Sequence, residues 1–175
     1  MYSKEELLNI ILNNPPEYSS YKTNSDEELD LSELDFSNST LENLDFSNCD
    51  FSGSSFVDAN LSIINFSGCN LKSVDFTRAN LVESDFSDCL LNGTDFNLAI
   101  VDYCNFAGAD MAGASVIEAD LSNSDFTASV NLSACRFDET TIWPDPELLP
   151  EDFDTSYSND LSSLQDEEES EPEMY

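Results

Sequence analysis

The side chains of this chain that could take part in chemistry are carboxylates and thiols. The 175 residues include 37 Asp and Glu, five Cys and no His, with only five Lys and Arg. Histidine, the commonest general base, is therefore missing, and the sequence has neither a Gly-rich phosphate loop nor a nucleophile with a suitable partner. The carboxylates recur at one outward position of a repeat and need no catalytic explanation. We predict that the protein is not an enzyme and that it uses no cofactor.

The cysteines all occupy one small, inward position of the same repeat: Cys49, Cys69, Cys89, Cys104 and Cys135. Neighbours in a stack would lie about 4.8 Å apart, which permits a disulfide, but parallel side chains in register suit the disulfide torsion poorly. The pattern favours buried free thiols and a reducing, cytoplasmic location. Without histidine or a close cysteine pair, we expect no metal site.

A period of five residues positions these side chains. From Leu31 to Phe126, every fifth residue is Leu, Phe, Val or Met, a spacing that fits neither a helix nor a plain strand. The residue two before each of these centres is small or apolar, the residue between them is mostly Asp or Asn, and the other two have turn chemistry. Each pentad is therefore predicted to form a three-residue strand and a corner, so that the chain winds as a stacked solenoid.

These pentads resemble the pentapeptide-repeat family, whose motif is A(D/N)LXX. Clear copies are Ala59-Asn60-Leu61, Ala79-Asn80-Leu81 and Ala119-Asp120-Leu121. The resemblance covers residues 29–142 and implies an all-β solenoid, a right-handed quadrilateral parallel β-helix with four pentads per turn and about 5–6 coils. The recurrence of Cys49, Cys69 and Cys89 at intervals of twenty residues is an independent sign of such a turn.

The chain divides into four predicted segments. Residues 1–28 form an N-terminal capping helix and linker, with a capping box at Ser3 and Glu6 and a stop at Pro15-Pro16. Residues 29–142 form the β-helix, and residues 143–153 form a C-terminal cap that begins a short helix near Pro146. Residues 154–175 form a disordered acidic tail. No segment is predicted to enter a membrane.

Four pentads per turn sort the core into columns. One column contains Phe46, Phe66, Phe86, Phe106 and Phe126, and the column opposite contains Phe36, Phe56, Phe76, Phe96 and Val116. After Phe126 the register shifts by one residue, so that Leu132, Phe137 and Ile142 are the next predicted core positions. The extra residue is predicted to form a bulge near Ala128–Val130. The bulge is expected to fit this residue into the stack rather than to act as a functional loop.

The acidity of the predicted rod is comparable to that of DNA. Residues 29–142 carry 19 acidic and 3 basic side chains, a net charge of −16, along a rod of roughly 27 Å. A DNA duplex of that length carries about 16 charges. The candidate DNA-mimicking surface consists of Asp45, Asp75, Asp85, Asp88, Asp95 and Asp125. Solubility and the mutual spacing of carboxylates explain the pattern equally well.

A second candidate surface is apolar. Five outward positions that should be polar carry apolar side chains: Ile63, Val82, Leu98, Ile100 and Tyr103. We predict that they share one face, with Leu98 at its corner, and call them the apolar patch. Contiguous exposed apolar groups mark protein contacts, although isolated ones are common on any surface.

Two functions remain open. The first is a non-enzymatic scaffold that docks other proteins on a rigid acidic rod. The alternative is a DNA mimic that binds DNA gyrase or another DNA-binding protein, because the family resemblance includes fluoroquinolone-resistance proteins with a duplex-shaped acidic β-helix. Unlike those proteins, this chain has an acidic C-terminus in place of a dimerisation helix, so we expect a monomer. Its charge opposes direct binding to nucleic acid.

Overall fold

The computed structural model describes residues 2–23, 28–151 and 153–155. Two helices come first, α1 (Lys4–Asn13) and α2 (Pro15–Thr23), and two short 3₁₀ helices, Leu132–Ala134 and Pro146–Leu148, lie near the other end. Between them the chain forms isolated parallel β-bridges instead of long strands. The predicted disordered tail lies, from residue 156 onward, outside the described residues.

The bridges join residues twenty positions apart and define four faces of a parallel β-helix. Face A contains the bridge residues Asp30, Asp50, Asn70, Leu90, Asp110 and Val130. Face B contains Asp35, Ser55, Asp75, Asp95, Ser115 and Arg136. Face C contains Thr40, Asn60, Asn80, Ile100, Asp120 and Ile142. Face D contains Asp45, Asn65, Asp85, Asn105 and Asp125. Because the chain passes through the faces in this order, face A lies opposite face C and face B lies opposite face D.

Most pentads turn their corner in the same way. The backbone N–H of the third residue after the central one donates a hydrogen bond to the C=O of the central residue, as Ala79 N–H does to the Phe76 oxygen at 2.9 Å. The residue two positions after the centre has a left-handed backbone, for example Asp58 with φ 58°. Such turns favour Gly, Asn and Asp, which explains the turn chemistry of the sequence.

The predicted phenylalanine columns are confirmed. Successive rings stack at centroid distances of 5.1 Å for Phe86 and Phe106 and 5.2 Å for Phe76 and Phe96, with nearly parallel planes. Rings of the two columns meet edge to face, as Phe66 and Phe76 do at 5.9 Å. Both arrangements are favourable for aromatic pairs, so the columns form a continuous packed core.

The N-terminal segment contains two helices instead of the single helix that the sequence predicts. The capping box at Ser3 and Glu6 is present, and α1 buries Leu7, Ile10 and Ile11. Pro15-Pro16 does end α1, but α2 starts at Pro15 itself. A proline is well tolerated in the first turn of a helix, where its missing N–H has no intrahelical partner.

Helix α2 covers the open edge of the first coil on face D. In later coils the C=O of a bridge residue accepts from the preceding coil, as the Asn65 oxygen does from Phe46 N–H. The equivalent Asp45 oxygen accepts instead from the Tyr18 hydroxyl at 3.0 Å, and the Ser47 oxygen accepts from Lys22 Nζ at 2.6 Å. Side chains of α2 therefore replace a missing coil at an edge that would otherwise be free to pair.

The predicted irregularity lies further along the chain than Ala128–Val130. Val130 still bridges Asp110 at the regular interval, whereas Arg136 bridges Ser115 across 21 residues. The extra residue enters between Val130 and Arg136, where the chain forms the 3₁₀ helix Leu132–Ala134. A helical turn takes up the added residue without disturbing the bridges on either side.

The prediction that Ile142 is a core residue is wrong, whereas Leu132 and Phe137 are buried as predicted. Ile142 is 53% exposed and bridges Asp120 across 22 residues. A second extra residue therefore lies in the turn that starts at Asp138, whose carboxylate accepts from Thr140 N–H at 2.9 Å. This shift moves Ile142 to the outward bridge position.

An aromatic group packs over the last coil. The Trp143 ring lies 5.2 Å from Phe137 and 4.9 Å from Phe153, and Phe126 N–H donates to the Leu148 oxygen at 2.7 Å. Within the described ranges, no helix has the length and apolar character needed to cross a membrane.

Candidate interaction surfaces

The outward aspartates have a structural role at the corners. In five of the six predicted acidic residues, one carboxylate oxygen accepts from the backbone N–H two positions later, at 2.8–2.9 Å: Asp45, Asp75, Asp85, Asp95 and Asp125. Asn65 uses its amide oxygen in the same way, toward Ser67 N–H at 3.0 Å. The hydrogen bond therefore needs an oxygen but no charge, so Asn could replace Asp at these positions without loss of the turn.

The alternation of Asp and Asn on face D forms a side-chain ladder. The Asn65 amide donates to Asp45 at 3.1 Å, and the Asn105 amide donates to Asp85 at 3.2 Å. Carboxylates on this face are thus separated by two coils, roughly 10 Å, with an amide donor between them. Each of these two Asn side chains thus bonds to the Asp one coil earlier.

The six predicted acidic residues do not lie on one face. Face D carries Asp45, Asp85 and Asp125, and Asp88 follows at the next corner with φ 56°. Asp75 and Asp95 lie on the opposite face B, where they bridge each other in adjacent coils. The carboxylates therefore form two ridges on opposite sides of the rod.

Within the rod, four carboxylates outside the predicted set have a pKa below the usual value. The Arg78 guanidinium lowers the pKa of Asp58, which it contacts at 2.6 and 2.7 Å. Amide donors from Asn131 and Asn92 lower the pKa of Asp110, the Ser37 hydroxyl lowers that of Asp35, and the Lys4 ammonium lowers that of Asp30. Their partners lie 2 to 26 residues away in sequence, and the long-range pairs depend on the coil register.

The apolar patch spans face C and its two flanking corners. Leu98 lies at the corner before face C, Ile100 on the face, and Tyr103 at the corner after it, all within one coil. Ile63 lies at the same corner as Tyr103, two coils earlier, and its N–H donates to the Val82 oxygen at 2.9 Å. Tyr103 is 61% exposed, and Ile63, Leu98 and Ile100 are also exposed, while Val82 is half-buried.

Three residues of the patch have an unfavourable backbone conformation. Ile63, Leu98 and Tyr103 have φ of 59°, 61° and 56°, in the left-handed region. For a β-branched residue such as Ile63 this conformation is a clear outlier, and it costs about 1–2 kcal/mol. Exposed side chains regain little of that cost by burial. The corner imposes this conformation on whichever residue occupies it, so these three positions are unusual in carrying an exposed apolar side chain there.

Within residues 29–142, three large apolar side chains outside the predicted patch are also exposed. Leu90 and Val130 lie on face A, opposite the patch, and Ile142 lies on face C, two coils beyond Ile100. Leu90 and Val130 break the polar rule at bridge positions, which was the available signal. Leu90 and Val130 are suitable control positions for the patch, because their exposed fractions, 40% and 48%, are close to those of the patch residues.

The five thiols are free and buried. Those of Cys69, Cys89 and Cys104 donate to the C=O of a central residue 23 positions earlier at 3.0 Å, as the Ser54 and Ser84 hydroxyls do at 2.8 and 2.9 Å. Burial raises the pKa of Cys89, Cys104 and Cys135 to about 12. In the part of the chain that the structure describes, no cluster of three or more metal-ligating side chains occurs.

Family models match most of the rod. One, described as a pentapeptide repeat region, matches residues 27–96, and another, described as pentapeptide repeats (8 copies), matches residues 91–127 and 104–142. A search of curated proteins finds no match.

One solved structure shares the fold of the rod, and others match it less well. The pentapeptide repeat protein Rfr23 from the cyanobacterium Cyanothece 51142 is 19% identical with a TM-score of 0.63, and the match covers 65% of this chain and 90% of Rfr23. HetL from Nostoc sp. PCC 7120, a protein involved in heterocyst differentiation regulation, is 19% identical with a TM-score of 0.40 over 67% of this chain and 60% of HetL. QnrB1, a plasmid-mediated fluoroquinolone resistance protein, is 20% identical with a TM-score of 0.23 over 65% of this chain and 79% of QnrB1. The likeness to Rfr23 shows the fold, a right-handed quadrilateral β-helix.

Proposed function

Since the chain belongs to the pentapeptide-repeat family, we propose that it is a non-enzymatic scaffold that docks a protein partner on the apolar patch. In this proposal residues 29–142 form a rod of about 5–6 coils of some twenty residues each, with caps at both ends. Such a repeat presents a rigid surface and need not change shape on binding. The buried free thiols support a reducing, cytoplasmic location.

The observation that carries this proposal is the choice of residues at the corners. Most left-handed positions of the rod hold Asn, Asp, Glu or Gly, whereas Ile63, Leu98 and Tyr103 are apolar and exposed. Neither backbone preference nor burial explains three such residues around one face. A contact with another protein does, because it would bury them.

The test is a pull-down with the tagged protein from nuclease-treated lysate of its source, eluted by rising salt. The variant I63N/L98N/Y103N places Asn at corner positions where Asn38 and Asn43 already occur, so we expect it to fold at least as stably. It should lose a partner that wild type retains at high salt. The control L90N/V130N, altered on the opposite face, should keep that partner. Equal capture by all three proteins would contradict the proposal.

A second candidate function, a DNA mimic, is favoured by one specific observation. The net charge of −16 on residues 29–142 matches that of a duplex of equal length, and two ridges of carboxylates run along opposite sides of the rod. Its partner would be a DNA-binding enzyme such as DNA gyrase, held electrostatically and released at moderate salt.

The two candidate functions predict opposite results for the same variants. A DNA mimic should inhibit gyrase supercoiling, and D45N/D75N/D85N/D88N/D95N/D125N should lose that inhibition. Five of these substitutions keep an oxygen for the corner hydrogen bond, so the fold should survive. I63N/L98N/Y103N should inhibit as well as wild type. If neither wild type nor any variant affects supercoiling, gyrase is excluded as the partner.

A further inference from the structure

The apolar patch is bordered by carboxylates. Glu83 lies at the corner between Ile63 and Tyr103, one coil from each, and it is exposed. Asp102 precedes Tyr103, and Asp120 bridges Ile100 directly. A partner that covers the patch must therefore bring its own side chains close to at least three negative charges.

The rod has few cations with which to neutralise these charges. Of the five basic side chains, Lys4 contacts Asp30 at 2.9 Å, Lys22 donates to the Ser47 oxygen, and Arg78 is held by Asp58 in the coil before Leu98. Lys72 lies near Asp110 of face A, and Arg136 bridges Ser115 on face B, so neither lies on face C. None of the first three is bonded to Glu83, Asp102 or Asp120. The positive charge that complements the border of the patch must come from the partner.

A second copy of the chain fits this surface poorly. Face-to-face pairing would bring two sets of border carboxylates together between molecules that each carry a net charge of −32. Like charges opposed across an interface disfavour association. The partner is therefore a different molecule, with both basic and apolar side chains.

We propose that the patch binds a basic amphipathic helix, an inference that rests on the proposed docking function. Ile63 and Tyr103 are two coils apart, about 9.6 Å along the rod, and residues i and i+7 of a helix are about 10.5 Å apart. A helix parallel to the rod axis thus places successive apolar side chains on Ile63 and Tyr103, with Val82 and Ile100 beside them. Lys or Arg flanking its apolar stripe reach Glu83, Asp102 and Asp120.

The test measures the binding of a defined peptide by fluorescence anisotropy. The probe is a labelled 18-residue helix of Leu and Lys with all Leu on one face. We expect I63N/L98N/Y103N to bind it at least tenfold more weakly than wild type, and L90N/V130N to bind it within twofold of wild type. E83Q/D102N/D120N should bind more weakly at 50 mM NaCl and show a smaller salt dependence.

Two control peptides separate this proposal from simple charge attraction. A scrambled isomer with the same composition but no apolar face, and a version with Glu in place of Lys, should both bind at least tenfold more weakly. Equal binding of the scrambled isomer, or no effect of I63N/L98N/Y103N, would overturn the proposal. If the peptide does not bind while a lysate partner still depends on the patch, the docking function stands and the basic helix is wrong.

Discussion

At the scale of single residues, this rod separates what the fold requires from what it only tolerates. At the aspartate positions the fold requires only a side-chain oxygen that accepts a hydrogen bond from the turn, and Asn65 provides such an oxygen without a charge. The inward thiols are interchangeable with hydroxyls, because Ser54 and Cys89 make the same hydrogen bond. Ile63 is merely tolerated, because its left-handed backbone would suit Gly or Asn better. Substitutions at these positions therefore have different expected signs.

Replacing Ile63 by glycine should stabilise the protein. The substitution relieves a left-handed β-branched residue that is half exposed, and we expect a gain of about 1 kcal/mol in the free energy of unfolding. The matched control is Ile100→Gly, at a similarly exposed position without a positive φ, which should destabilise by about 0.5–1 kcal/mol. Urea titrations of both variants measure the difference, and effects of the same sign would contradict the strain at Ile63.

The buried thiols should make stability fall at alkaline pH. Their pKa of about 12 in the folded protein exceeds the value of about 8.5 in an unfolded chain. Between these two values only the unfolded state releases the protons, so each thiol lowers stability by on the order of 1 kcal/mol per pH unit above about pH 8.5.

Thermal unfolding at pH 7.5 and pH 10 measures this effect. C89S/C104S/C135S keeps a hydrogen-bonding group at each position, as Ser54 and Ser84 show, but does not ionise. We expect the midpoint of wild type to fall further than that of the variant. Parallel decreases would mean that other groups cause the loss.

At the scale of secondary-structure elements, the ends of the rod are stabilised by the terminal helices, as its coils are stabilised by the pentad repeat. The Tyr18 side chain is fully buried, its ring packs at a tilt against Phe46 with centroids 5.1 Å apart, and its hydroxyl donates to the Asp45 oxygen at the edge. Without α2 the first coil would expose the Phe46 ring and unpaired backbone groups. Exposed edges of this kind promote aggregation.

The hydroxyl of Tyr18 should therefore contribute to stability separately from its ring. We expect Tyr18→Phe to cost about 1 kcal/mol through the lost hydrogen bond and Tyr18→Ala about 3–5 kcal/mol through the lost packing. Tyr2→Phe is the control, because its hydroxyl contacts Glu17 at the surface. A loss for Tyr18→Phe no larger than that of the control would show that the edge contact is unimportant.

The sequence predicted the regular part of the fold because each pentad repeats the same local physics. Phe86 and Phe106 stack as expected, since a constant spacing of twenty residues fixes which side chains meet. The errors begin where the repeat ends. Neither α2 nor the exposure of Ile142 follows a period, and both depend on how an irregular segment fits against the last or first coil.

The candidate surfaces were predictable in part for the same reason. The five residues of the apolar patch violate the polar rule of their positions, so the sequence alone identifies them. The left-handed conformation of Ile63, Leu98 and Tyr103 follows from the corner geometry, which becomes clear only in the structure. The grouping of the acidic residues on two opposite faces likewise requires the register, which places Asp75 beside Asp95 and away from Asp85.

At the scale of the whole molecule, the charge acts against the fold that carries it. Carboxylates on one face are about 5–10 Å apart, and the screening length is about 10 Å at 0.1 M salt and 3 Å at 1 M. Neighbouring charges therefore repel one another until the salt concentration is well above 0.1 M. Such repulsion destabilises a compact state while it favours solubility.

The midpoint of thermal unfolding should consequently rise between 0.05 and 1 M NaCl, with most of the increase above 0.1 M. D75N/D95N removes the two carboxylates that bridge each other in adjacent coils and keeps their corner hydrogen bonds. We expect this variant to be more stable than wild type at 0.05 M NaCl and to gain less stability from added salt.

The control is D58N, which also removes a carboxylate but breaks the contact between Asp58 and Arg78, and it should not stabilise the protein. If D75N/D95N gains as much from salt as wild type, the repulsion does not arise on face B. If D75N/D95N is more stable than wild type, these two carboxylates lower the stability of the fold. Their presence is then the mark of a surface selected for binding.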